Sequence, residues 1–150
     1  MDGPRSSHRL ELTLENRLGA IAEAAADIRR FCEPLGMSRK EIGQVNLALD
    51  EMLTNIISYA WPGGGSHTVR VALSLEGARL IVEVTDDGVP FDPRTAPDPD
   101  LSSPLEARRV GGLGVYFAMT LMDHIDYRRV GDENHLTLVK AIQPMESQRD

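Results

Sequence analysis

The stretch MSRKEIGQVNLALDEMLTNIISYA, residues 37–60, constrains the fold most, because it reads as one long helix with two unlike sides. Ile42, Val45, Leu49, Met52 and Ile56 recur every three or four residues and form an apolar stripe. Ser38 stands just before the stripe with Glu41 three residues on, the spacing of a capping box. Trp61-Pro62-Gly63-Gly64-Gly65 ends the helix, since Pro62 cannot continue the hydrogen-bond ladder and the glycines favour a turn. The other side carries Gln44, Ala48, Glu51, Asn55 and Ser58. Glu51 and Asn55 are four apart, so their side chains point the same way. Glu51 is suited to take a proton or orient a hydroxyl, and Asn55 to offer an oxygen to a hard cation. The same two residues equally describe an ordinary solvated face.

The rest of the chain arranges itself around this helix. Residues 8–15 alternate, with Leu10, Leu12 and Leu14 on one side, as a strand with one buried face does. A helical pattern follows over roughly 17–35, with a stripe of Leu18, Ile21, Ala22, Ala25, Ile28 and Phe31, closed by Leu35-Gly36. The short link to residue 37 predicts two antiparallel helices on one side of a sheet. Residues 67–75 and 79–86 alternate again and flank the turn signal Glu76-Gly77, as a hairpin does. Residues 92–110 hold Pro93, Pro97, Pro99 and Pro104 and form a long loop. A helix begins after Gly111-Gly112-Leu113-Gly114, in VYFAMTLMDHI, with Val115, Ala118, Met119 and Met122 on one face. Strands 125–130 and 135–142 close the chain around Gly131-Asp132-Glu133-Asn134. This order is α+β: a two-layer sandwich with a mixed, mostly antiparallel sheet and helices packed on one face. The regular βαβ alternation of a Rossmann unit is missing.

Composition excludes several classes. A chain of 150 residues, 41% apolar and 26% charged, suits one domain over 1–150 with a real core. The net charge of −7 argues against direct nucleic-acid binding. No run of 18 apolar residues suggests a membrane span, and MDGPRSSHR lacks a signal-peptide core. Cys32 is the single cysteine, so no intramolecular disulfide forms, and a reducing cytoplasm is the simplest location.

Three polar patches carry the chemistry. The first is Glu51 with Asn55. The second is Asp86-x-Gly88-x-Pro90-Phe91 at a strand end, where Asp86 can accept from an exocyclic amine and Gly88 lets a flat ring approach the backbone. Asp-Gly is also a common turn dipeptide. The third is Gly111-Gly112-x-Gly114 at the start of a helix, where backbone N–H groups and the dipole favour phosphate; the bland reading is a hinge. Together they supply a metal ligand, a base-reading carboxylate and a phosphate cradle, an ATP site without a P-loop. No protein-kinase HRD or DFG occurs.

The set Glu51-x-x-x-Asn55, Asp86-x-Gly88-x-Pro90-Phe91 and Gly112-x-Gly114 resembles the N, G1 and G2 boxes of the GHKL ATPase superfamily, which has the Bergerat fold. Over about residues 8–142 the chain is similar to its anti-sigma-factor serine/threonine kinase branch, of the RsbW and SpoIIAB type. LALDEMLTNIISYAW, the stretch LGVYFAMTLMDHIDYRR and the closing NHLTLVK carry that likeness. The resemblance implies ATP and Mg2+ as cofactors. It implies Glu51 as general base for the acceptor hydroxyl, Asn55 as Mg2+ ligand, Asp86 as acceptor from the adenine amine with Thr137 helping through a water, and Gly88 as room for adenine. Residues 92–110 would be the ATP lid, hinged at Gly112 and Gly114. Arg108 and Arg109 are candidates for neutralising phosphate charge, with solvated loop arginines as the alternative. Asp87 departs from the asparagine frequent in relatives. The implied partners are a STAS-domain anti-anti-sigma factor, a sigma factor or another regulatory protein, and a second copy in a homodimer. A non-catalytic ATP-binding partner switch and a stand-alone histidine-kinase catalytic domain are the alternatives, the latter without a preceding phosphoacceptor helix pair.

Overall fold

The computed structural model describes residues 8–95 and 113–143. Its strands are β1 (Arg9–Glu15), β2 (Thr68–Glu76), β3 (Arg79–Asp86), β4 (His124–Val130) and β5 (Glu133–Ala141). Its α-helices are α1 (Gly19–Cys32), α2 (Arg39–Tyr59) and α3 (Leu113–Leu121), and Glu33–Leu35 and Pro93–Thr95 form single 3-10 turns. The five strands make one sheet in the order β1-β2-β3-β5-β4, antiparallel at every pairing. Helices cover one face, so the α+β sandwich expected from the element order is the architecture observed.

Alternation decides which face is covered. Leu14, Val69, Val71, Leu73, Leu80, Val82, Val84, Leu136 and Leu138 are buried beneath the helices. Their neighbours in sequence, such as Arg70, Glu83 and Thr137, stand on the open face. Two hairpins turn on Gly77-Ala78 and Gly131-Asp132, with Gly77 at φ 63° and Gly131 at φ 58°. A positive φ at the first of two turn residues matches the twist of the flanking strands, which is why glycine stands there.

The helix α2 is built as its sequence requires. Ser38 Oγ accepts from Glu41 N–H at 3.0 Å, and Glu41 Oε1 accepts from Ser38 N–H at 2.9 Å, so the capping box is complete. Glu41 is buried, and its Oε2 accepts from Gln143 N–H at 2.7 Å, which ties the C-terminal end of the described chain to the start of the helix. Ile42, Val45, Leu49 and Met52 are all buried. Ala48, expected on the polar side with Glu51, is buried as well.

Two expectations shift in detail. The buried residues of α1 are Ala20, Ile21, Ala24, Ile28 and Cys32, while Leu18 lies exposed before the helix. In an alanine-rich run either flank is apolar enough to be the stripe, so the period alone leaves the rotation open. Burial pushes the Cys32 thiol up to about 11, so it stays protonated as packing. The helix α3 ends at Leu121, short of Asp123 and His124. Lys140 Nζ donates to the Leu121 carbonyl at 3.0 Å, and Asp123 Oδ2 accepts from Ala141 N–H at 2.7 Å. Pairing with β5 captures the chain into β4 from His124 onward.

No helix of the described residues is long and apolar enough to cross a membrane. Ser38→Ala removes the acceptor for Glu41 N–H and should lower the unfolding free energy by about 1 kcal/mol. Urea titration checks this: the midpoint should fall at an unchanged slope.

Candidate active site

The end of β3 carries the carboxylate on which the site is built. Asp86 is buried at 5% exposure. Its Oδ1 accepts from Gly88 N–H at 2.8 Å and from Asn134 Nδ2 at 3.0 Å. Burying a carboxylate is costly unless donors meet it, and here one oxygen takes both. Among the described residues Oδ2 accepts no hydrogen bond, and Asp86 lines a cavity of about 130 Å3. The walls are mostly apolar: Met52, Ile56 and Ala60 from α2 and its end, Val89, Pro90, Phe91 and Pro93 from the chain after β3, and Leu136 from β5. That size is near the ~150 Å3 at which an apolar cavity accepts one aromatic ring.

Asn55 also lines this cavity, and Glu51 lies one helical turn before it on α2. Among the described residues, no side-chain or backbone group hydrogen-bonds the side chain of either. Gly114, in the first turn of α3, meets Glu51 directly: a Cβ placed there would lie 2.1 Å from Glu51 Oε1. Partial burial raises the Glu51 carboxyl above its usual range, and the charge of Asp50 adds to the shift. The helix start at Gly114 adds backbone N–H groups and the positive end of the α3 dipole beside Glu51. The cavity with Asn55 in its wall, Glu51 one helical turn away and Gly114 against Glu51 therefore follow one another along α2, from an apolar end to a polar end.

Two expected roles change. Gly88 is small because of protein packing: a Cβ there would lie 2.3 Å from Ala60 Cβ and 2.6 Å from the Ala60 carbonyl oxygen. Val89 N–H donates to that carbonyl at 2.8 Å, and Arg129 Nη1 donates to the Gly88 carbonyl at 2.7 Å. The turn is thus pressed against the end of α2, and the space beside Gly88 belongs to Ala60. Thr137 does not join Asp86. It opposes Glu83 in register and lines the open face of the sheet with Arg9, Glu11 and Arg70. Parity explains this, because the residues of β5 that face the helices are Asn134, Leu136 and Leu138. Gly112, Arg108 and Arg109 lie outside the described residues.

Asn134 is the site residue that sequence reasoning missed. It opposes Asp86 in register and is buried at 6% exposure. Read as a turn residue in Gly131-Asp132-Glu133-Asn134, it hid the signal that finds it: Leu136 and Leu138 extend back by twos to Asn134. Tyr127 on β4 was missed too; its hydroxyl donates to Asn134 Oδ1. Asp87, which had no assigned role, accepts from Trp61 Nε1 at 2.9 Å, and Trp61 stacks on His67 with ring centroids 4.6 Å apart. Asn16 closes that loop: its Nδ2 donates to the Gly65 carbonyl at 2.9 Å and its Oδ1 accepts from His67 N–H at 3.0 Å.

No group of three or more His, Cys, Asp or Glu side chains converges among the described residues. The donor set at the polar end, one carboxamide oxygen with a carboxylate a turn away, fits Mg2+, which binds through few protein ligands and takes the rest from phosphates and water. The acceptor at the cavity floor and its ring-sized apolar walls fit an aminopurine nucleotide.

The chain is similar to known proteins over most of its length. A family model described as histidine kinase-like ATPase domain matches residues 14–140. The chain is 28% identical over 136 residues to the serine/threonine-protein kinase BtrW of Bordetella bronchiseptica, covering 88% of this chain and 94% of that protein. It is 31% identical over 146 residues to the serine-protein kinase RsbW of Bacillus thuringiensis, covering 91% of this chain and 89% of that one. Among solved structures, the RsbU and RsbW domains of a Mycobacterium tuberculosis protein match with a TM-score of 0.66 at 19% identity, over 91% of this chain and 33% of that one. The SiaB–SiaC complex of Pseudomonas aeruginosa matches with a TM-score of 0.58 at 18% identity, over 89% of each chain. A buried carboxylate beneath a ring-sized cavity, reached along a helix bearing Asn55 and Glu51, thus sits in a chain that belongs to the histidine kinase-like ATPase domain family, in its RsbW-like kinase branch.

Proposed function

We propose that this protein is an ATP- and Mg2+-dependent protein serine/threonine kinase that acts as an anti-sigma regulatory factor. It phosphorylates a STAS-type anti-anti-sigma antagonist and sequesters a sigma factor or an analogous regulatory partner, in the cytoplasm. The observation that carries the reading is Asp86: a buried carboxylate with one oxygen held by two donors and the other free of hydrogen bonds among the described residues, in the wall of a ring-sized cavity that Asn55 also lines. The names of the relatives, serine-protein kinases over most of their length, support it.

Each role follows from position. Asp86 Oδ2 accepts from the 6-amino group of adenine, and the apolar walls cover the ring. The triphosphate runs toward Asn55 and the first turn of α3, where the positive end of the helix dipole favours anionic oxygens. Asn55 would hold Mg2+, which when bound would supply charge neutralisation at the phosphates. Glu51 orients the serine or threonine hydroxyl of the antagonist and takes its proton. The new bond joins that oxygen to the γ-phosphorus, and the bond to the β,γ-bridging oxygen breaks to leave ADP. Gly114 keeps α3 close enough to confine Glu51, since any side chain at 114 would enter the space of its carboxylate. Gly112, Arg108 and Arg109 extend the phosphate end in this reading.

Calorimetry with Mg2+ and ATP should show binding, and Asp86→Ala should weaken it by about ten-fold or more through loss of the base acceptor. Equal affinity for GTP and ATP, or unchanged binding by D86A, overturns the base assignment.

Single-turnover transfer to purified antagonist separates the polar residues. Glu51→Gln should bind ATP normally and transfer on the order of 10²-fold more slowly. Asn55→Ala should lose both metal-dependent binding and transfer. Because the Glu51 carboxyl is raised and must be ionised to take a proton, wild-type transfer should fall as pH drops through that raised value. E51Q should lack this acidic limb. Wild-type rates in E51Q remove Glu51 as base; ATP binding with no transfer to any partner favours a non-catalytic partner switch.

The homodimer implied by the family should appear in light scattering as about twice the chain mass of 16.5 kDa. A monomer mass with and without nucleotide refutes it.

A further inference from the structure

Side chains from three strands meet at the cavity in a continuous chain of hydrogen bonds. On β4 the Tyr127 hydroxyl donates to Asn134 Oδ1, which also accepts from Phe91 N–H at 3.4 Å. On β5 the Asn134 Nδ2 donates to Asp86 Oδ1 at 3.0 Å and to the Val89 carbonyl at 3.0 Å. The partners of the two ends of the carboxamide are opposite in kind. Donors meet its oxygen, and acceptors meet its nitrogen. A flipped amide would set its oxygen against the Asp86 carboxylate and the Val89 carbonyl, so the network allows one orientation. Tyr127, Asn134 and Asp86 all line the cavity.

We infer that Asn134, itself oriented by Tyr127, is a positioning residue for base selection: it holds Asp86 so that Oδ2 meets the bound purine as an acceptor and thereby selects a 6-amino over a 6-oxo base. The inference rests on the nucleotide reading above and names the groups that make it selective. Asp86 Oδ1 has two donors, Gly88 N–H and Asn134 Nδ2, on different elements. Two fixed directions determine the plane of the carboxylate; one leaves it free to rotate about its bond to Cβ. With the plane fixed, the free oxygen faces a 6-amino donor favourably. A 6-oxo group there would set acceptor against acceptor in a mostly apolar cavity, an arrangement that rejects an analogue strongly. Tyr127 acts one step further away. Its hydroxyl holds the Asn134 oxygen and keeps the amide from pivoting off Asp86.

The test compares two ligands that differ only in the group read. Calorimetry measures ATP, and the purine riboside triphosphate that has hydrogen at position 6, on wild type, Asn134→Ala, Tyr127→Phe, Asp86→Ala and the Asn134/Asp86 double variant. Wild type should prefer ATP. N134A should lose about ten-fold in ATP affinity and stay within about two-fold for the 6-H analogue. Y127F, which removes a single hydroxyl, should shift the ratio the same way by a smaller factor. Adding N134A to D86A should cost nothing further, because Asn134 acts through that carboxylate. Equal weakening of both ligands by N134A, or independent addition of the two substitutions, overturns the inference and leaves Asn134 structural. Should N134A not fold, Y127F decides: an unchanged ATP-to-analogue ratio overturns it. Wild type that binds neither ligand overturns the nucleotide reading itself, a result distinct from wild type and D86A behaving as expected while N134A and Y127F leave the ratio unmoved.

Discussion

A carboxylate buried at the end of a central strand organises this end of the molecule. An unpaired carboxylate in a protein interior costs several kcal/mol, so the fold must bring donors to it. One comes from the chain itself, the N–H of Gly88 two residues on, which makes the turn after β3 a ligand of its own aspartate. The other comes from β5, whose register with β3 sets Asn134 opposite Asp86. Strand pairing, turn geometry and side-chain chemistry therefore converge on one carboxylate, and its second oxygen accepts from none of the described residues.

Close approach of backbone to backbone is the other condition. Gly88 lets the turn press on Ala60 at the end of α2, where the Val89 N–H reaches the Ala60 carbonyl at 2.8 Å. Gly114 lets the start of α3 come against Glu51. The two glycines meet α2 and its end at different points, Ala60 and Glu51, and each joins α2 to another element. The helix α2 is thereby the shared wall: its apolar stripe anchors it to the sheet, and the flank bearing Glu51 and Asn55 is confined between the β3 turn and α3. Hydrophobic burial holds the helix in place, and the glycines set how near its polar flank lies to the other groups.

The margin of the cavity has its own support. Arg94 pairs with Asp92 at 2.9 Å and with Asp126 on β4 at 3.4 Å, which draws the Pro93–Thr95 turn toward the sheet. The guanidinium holds the Asp92 carboxyl below its usual range. Arg94 is exposed and Asp126 and Asp92 are partly exposed, so the pairs contribute little to stability individually; their effect is directional, because Pro93 is part of the cavity wall. Trp61, His67 and Asp87 close the glycine-rich loop after α2.

Much of this was legible in the sequence, for local reasons. The capping box at Ser38 and Glu41, the stripe of α2 and the alternation of the strands depend on near neighbours, whose chemistry repeats with the period of the element. Glu51 and Asn55 were legible as a pair because four residues on a helix make one turn. Asp86 announced itself by ending an apolar strand. What the sequence left undecided depended on distance across the fold. Alanine can sit on either flank of α1, so packing against the sheet chose its rotation. Gly88 looked like room for a ligand, and only the end of α2 lying above it shows that Ala60 fills that room. Thr137 and Asn134 are separated by three positions, an odd number, so they occupy opposite faces of β5; which of them meets Asp86 is settled by the register of β5 on β3, which sets Asn134 opposite Asp86 and Thr137 opposite Glu83. A one-residue change in where that strand begins reverses every side chain in it. Local chemistry thus determined the elements and the candidate groups, while strand register and the contacts of Gly88 and Gly114 decided which groups meet.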